Sequence, residues 1–123
     1  MMQQYFQKQP LILVVEDEVI VRTCISAELG HVGFDVVEAA DAEEGLRKFE
    51  GDDRITTVFS DINMPGDFDG LSLAHRIAQL RPEVRLILTS GRGEPLATAM
   101  PAGVYFLPKP YNCQFLAALI SAA

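Results

Sequence analysis

Residues 57–70 read TVFSDINMPGDFDG, an apolar run that breaks off at Asp61 and passes at once into a Met-Pro-Gly turn with two further aspartates. The run that begins at Ile55 reads as a strand buried on both faces. An ionised carboxylate leaves water only when a counter-charge or a metal compensates it. Asp61, placed where such a strand ends, is therefore a candidate for chemistry rather than for solvation.

Outward from this stretch the same kind of run recurs four times: LILVV from Leu11, DVVEA from Asp35, VRLIL from Val84 and VYFL from Val104. Each is short and rich in β-branched or aromatic residues, as expected of strands covered on both sides. Helical patterns fill the gaps. Val21, Ile25 and Leu29 recur at four-residue steps, followed by Val32 and by Gly33 as a C-cap. Asp41 with Glu44 resembles a capping box ahead of Leu46 and Phe49. Leu73, Ile77 and Leu80 form a stripe that stops at Pro82, and Asn112 is an N-cap for a helix burying Phe115, Leu116, Leu119 and Ile120. Strict β-α alternation of this length predicts an α/β fold, a doubly wound five-stranded parallel sheet with helices on both faces and right-handed crossovers.

The chain has 123 residues, enough for one domain with one core. A formal net charge of −7 and the lack of any basic run argue against wrapping a phosphate backbone, so no direct nucleic-acid binding is expected. No apolar stretch is long enough to span a bilayer. Residues 1–9 read as a flexible polar lead-in without a signal-peptide pattern, and residues 10–123 as the domain. Cys24 and Cys113 have no metal-like spacing, which suits reduced thiols in a cytoplasmic protein. His31 and His75 stand alone and read as surface or satisfied side chains.

In a parallel sheet of this kind a ligand sits beyond the carboxyl ends of the strands, where the strand order reverses. Those ends carry Glu16 and Asp17 after the first strand, Asp61 after the third, Thr89 and Ser90 after the fourth, and Lys109 before Pro110 after the fifth. Two carboxylates about 5 Å apart repel by roughly 3 kcal/mol at an effective dielectric near 20, so three of them call for a cation. Oxygen-only ligands point to Mg2+. A carboxylate beside such an ion can attack phosphorus, with Lys109 and Thr89 balancing charge on the transferred group. Taken singly, each residue has a plainer role. Glu16 and Asp17 could cap the first helix, Thr89 and Ser90 could be turn residues, and Lys109 a surface partner. Asp67 and Asp69 read as turn-formers before Gly70, and Gly91 to Gly93 as a flexible loop. Convergence of all five groups on one sheet edge favours the functional reading.

The segments LVVEDE, SDINMP, LILTSG and FLPKPY, in this order, resemble the four motifs of response-regulator receiver domains of two-component signalling. The resemblance covers nearly the whole chain and implies a flavodoxin-like strand order 2-1-3-4-5. It implies that Asp61 is the phosphoacceptor, that Glu16 and Asp17 are the acidic pair with Asp17 a direct metal ligand, and that Asn63 offers its backbone carbonyl to the metal. Thr89 and Lys109 match the phosphoryl-binding pair, Thr89 and Phe106 the switch residues, and the Lys109-Pro110 bond is expected to be cis. Two departures stand out. The loop GDFDG after Pro65 is one residue longer than the usual pattern, and Pro95 and Pro101 reduce the fourth helix to a turn or two.

The resemblance further implies a histidine kinase or histidine phosphotransfer protein as phosphodonor, a downstream protein target, at most self-phosphorylation and slow autodephosphorylation as activity, and scope for a weak homodimer. With no output domain after Ala123, the chain is expected to act through protein contacts or as a relay, or else to be a receiver fragment of a hybrid kinase. A pseudo-receiver that binds without phosphorylation is an alternative. An aspartyl phosphatase or phosphotransferase of another α/β family is disfavoured, because Asn63 replaces the second aspartate of an Asp-x-Asp signature.

Overall fold

The computed structural model describes residues 10–122; the lead-in assigned to residues 1–9 lies outside the described residues. The chain alternates β1 (Leu11–Val15), α1 (Val19–His31), β2 (Asp35–Ala39), α2 (Ala42–Glu50), β3 (Ile55–Asp61), α3 (Gly70–Leu80), β4 (Arg85–Ser90), a 3-10 turn (Ala97–Ala99), β5 (Tyr105–Pro108) and α4 (Cys113–Ser121). The sheet has the order β2-β1-β3-β4-β5, and every neighbouring pair is parallel.

Alternation along β1 builds the two layers. Leu11, Leu13 and Val15 face one side and pack with Phe49 of α2 and with Leu73 and Ile77 of α3. Ile12 and Val14 face the other side and pack with Ile25 and Leu29 of α1 and with Leu116 and Ile120 of α4. This two-sided burial explains why β1 reads as a continuous apolar run, whereas the edge strands β2 and β5 are only partly covered. The reversal of strand order falls between β1 and β3, which places Glu16, Asp17 and Asp61 at the switch point of the sheet.

The N-caps form where expected, while the C-cap of α1 falls on Val32 rather than Gly33. Asp41 accepts a hydrogen bond from the Glu44 N–H at 2.8 Å, and Glu44 Oε1 accepts one from the Ala40 N–H at 2.6 Å. Asn112 caps α4 by accepting from the Phe115 N–H. Gly33 has φ of 96° just past the end of α1, a left-handed position that glycine takes without strain. One burial expectation is corrected: Phe115 is 50% exposed, at the margin of the stripe that buries Leu116 and Ile120. Val32 and Leu80, at the ends of the α1 and α3 patterns, are 53% and 46% exposed. Between β4 and β5 the described residues hold only the 3-10 turn, in line with the helix-breaking prolines.

Candidate functional site

Each strand delivers its group to one edge through the register of the ladder. β3 and β4 pair so that Asp61 lies opposite Thr89, and β4 and β5 pair so that Ser90 lies opposite Pro108, one residue before Lys109. Glu16 continues β1 and is held to the end of β2 by its N–H bonding to the Ala39 carbonyl at 3.0 Å. The Glu16, Asp17 and Asp61 carboxylates each present an oxygen within 4.8 Å of the others.

Asp61 is the centre of the arrangement. Lys109 Nζ donates to its Oδ2 at 2.9 Å, and the Asn63 N–H donates to its Oδ1 at 3.2 Å. The Thr89 hydroxyl is buried and has no hydrogen-bond partner among the described residues, and the same holds for Glu16 Oε1. Burial, then the negative charge of Asp61, push the Glu16 carboxyl up to about 7 against the pull of Lys109. Burial lowers the Lys109 ammonium pKa, but the hydrogen bond and charge of Asp61 outweigh it and the net shift is upward. Asp17 stands exposed at the rim.

The plainer alternatives fare poorly against this geometry. The N-cap of α1 is Glu18, without a side-chain cap bond, so neither Glu16 nor Asp17 serves as its cap. Lys109 points inward to Asp61 rather than to a surface partner. Orphaned buried oxygen beside two more carboxylates is what a hard divalent cation satisfies, and an all-oxygen donor set suits Mg2+.

The model of the response regulator receiver domain matches residues 12–121. The chain belongs to this family. The receiver is 32% identical over 116 residues to the DNA-binding transcriptional regulator NtrC of Azospirillum brasilense, covering 91% of this chain and 24% of that protein. It is 34% identical over 113 residues to the sensor kinase CckA of Brucella abortus, covering 89% of this chain and 12% of that one. The receiver thus spans about a quarter or less of the length of these relatives. Among solved structures it is similar to a response regulator receiver domain protein from Clostridium thermocellum, with a TM-score of 0.83, 30% identity and 92% of each chain covered. The Lys109-Pro110 bond of this receiver is cis, as expected.

Several features of the receiver's site were not singled out from sequence. Gly70 opens α3 directly against Asp61: a Cβ there would lie 1.9 Å from the Asp61 carbonyl oxygen. Asp69, read only as a turn residue, caps α3 by accepting from the Leu71 and Ser72 N–H groups. Ser90 accepts from the Asn63 side-chain amide at 2.5 Å, which ties the β3 loop to β4. Arg92, read as part of a flexible loop, lines a cavity of about 430 Å³ together with Asp17, Asn63 and Asp69. A glycine or arginine in a loop gives no sequence signal of which wall it will face. Phe106 is partly buried against the α2/α3 core layer, while Tyr105 is exposed.

Proposed function

We propose that this receiver is a phosphoacceptor switch that takes a phosphoryl group onto Asp61 from a histidine kinase or a histidine phosphotransfer protein. The observation that carries the reading is the Asp61 carboxylate itself, bridged to Lys109, held by the Asn63 N–H and flanked by the unpartnered Thr89 hydroxyl. An Asp61 oxygen attacks phosphorus in line with the leaving imidazole nitrogen; the P–O bond forms as the N–P bond breaks. Lys109 then transfers its ion pair to a phosphoryl oxygen, and Thr89 donates its free hydroxyl to another. Glu16, Asp17, Asp61 and the Asn63 carbonyl are the groups that would hold Mg2+, whose charge would offset that of the incoming phosphate.

Residues 10–123 form the receiver domain in this reading, which acts in the cytoplasm and signals through protein contacts with a downstream target, Thr89 and Phe106 coupling the site to that surface. Likeness to a sensor kinase supports a second reading, a receiver carried within a hybrid histidine kinase. Either way the chemistry is tested by incubation with acetyl phosphate. Labelling is expected with Mg2+, and is expected to fall at least tenfold in EDTA or with Asp17→Ala; undiminished labelling in EDTA would overturn the role of the cation.

A further inference from the structure

Beside the acidic edge, α1 and α4 pack side by side on one face of the sheet, and each contributes a cysteine to their junction. Cys24 lies on α1 and Cys113 is the first residue of α4. Their sulfurs are 3.1 Å apart and share a hydrogen bond, although the residues are 89 apart in sequence. Both thiols are free, Cys24 exposed and Cys113 half-buried. They line a groove of about 500 Å³, together with Val21, Lys109 and Tyr111.

We propose that Cys24 and Cys113 are a redox modification site, a dithiol that a low-molecular-weight disulfide converts reversibly into an intramolecular disulfide joining α1 to the start of α4. A disulfide needs the sulfurs at about 2.05 Å, so closure asks for a shift of only about 1 Å. The half-exposed position marks the bond as a labile one rather than a structural one. The order of attack follows from access. Cys24 faces solvent and meets the oxidant first, whereas burial and the hydrogen bond to Cys24 push the Cys113 thiol up to about 12.

In the first step the Cys24 sulfur, its proton lost to solvent, attacks one sulfur of the reagent disulfide; that S–S bond breaks and one thiolate leaves. In the second, Cys113 gives up its proton and attacks Cys24 Sγ, and the second reagent thiolate leaves. Two protein thiols are oxidised, one disulfide is reduced to two thiols, and the two protons end on those thiols. The consequence reaches the site through the chain. Only Pro110, Tyr111 and Asn112 separate Lys109 from Cys113, and Tyr111 packs edge-on against Phe59 of β3 with ring centroids 5.7 Å apart. The cross-link fixes this loop against α1.

The test is to treat the full chain with glutathione disulfide and follow it by intact mass, non-reducing peptide mapping and amide hydrogen exchange. Expected are a loss of two hydrogens with a Cys24–Cys113 linked peptide, full reversal by dithiothreitol, slower exchange across residues 109–113 and a higher melting temperature. Cys113→Ser should stop at a mixed disulfide on Cys24, and Cys24→Ser should react at least tenfold more slowly. A stable glutathione adduct on the native chain, a disulfide between two chains, or no reaction would each overturn the proposal. So would a disulfide that leaves exchange across residues 109–113 unchanged.

Discussion

Glu16 shows how one residue is poised by its neighbours. It is 2% exposed, and one of its oxygens has no partner, a strained position for a carboxylate unless a cation satisfies it. Its carboxyl is raised from 4.5 to about 7 in the fold. The unfolded chain therefore releases this proton near pH 4.5 while the folded chain keeps it until about pH 7. Stability from this group is full below about pH 4.5, falls as pH rises toward 7 and is level above. The loss is on the order of 3 kcal/mol without a bound cation. Glu16→Gln removes the titration. Urea unfolding in EDTA is expected to find the variant more stable than the native protein at pH 8 and indistinguishable from it at pH 4.5. An equal difference at both pH values would contradict the assignment. Gly70 is the second residue-scale case. Adding a methyl group 1.9 Å from the Asp61 carbonyl forces backbone apart, so Gly70→Ala should cost about 3 kcal/mol of unfolding free energy by calorimetry and displace Asp61. A loss below about 1 kcal/mol would show that the α3 start yields easily.

Among the elements, the stretch from Gly91 to Gly103 is the least regular. It carries one 3-10 turn, and one of its anchors is His75 Nε2, 2.7 Å from the Ala99 carbonyl. Pro95 and Pro101 restrict helix to a few residues, and so short a helix is not stable without packing. This stretch is expected to reorder on phosphorylation, with Thr89 and Phe106 as its couplings. A segment so lightly held is where a modest differential interaction shifts populations. Hydrogen exchange with and without a phosphoryl mimic should change across Gly91 to Gly103; change confined to the acidic loops would rule this out. The same segment shows what sequence discloses. Two prolines act locally and can be read directly, whereas the exposure of Phe115 depends on how far α4 turns its stripe from the sheet. That Glu16, Asp61, Thr89 and Lys109 meet at one edge was legible, because each directly follows or ends an apolar run and a parallel sheet carries the ends of its strands to the same side. Arg92 and Gly70 were not, since their roles arise only when the β4 loop and the start of α3 meet the edge.

For the whole molecule, the parallel sheet acts as a ruler. Its register sets Asp61 opposite Thr89 and leaves Lys109 one residue past Pro108, so three strands far apart in sequence converge on one carboxylate. Helical layers cover both faces of the sheet below this edge, and the reversal of strand order opens it. Among the described residues no helix is long and apolar enough to cross a membrane. In the proposed switch the decisive feature is which atom carries the phosphoryl group. The direct measurement is to phosphorylate the protein with acetyl phosphate and Mg2+, reduce the acyl phosphate with borohydride, and map the modified residue by peptide mass spectrometry. The expected result is homoserine at position 61 and at no other aspartate, with no labelling of Asp61→Asn. Homoserine at Asp17, or full labelling of Asp61→Asn, would contradict it.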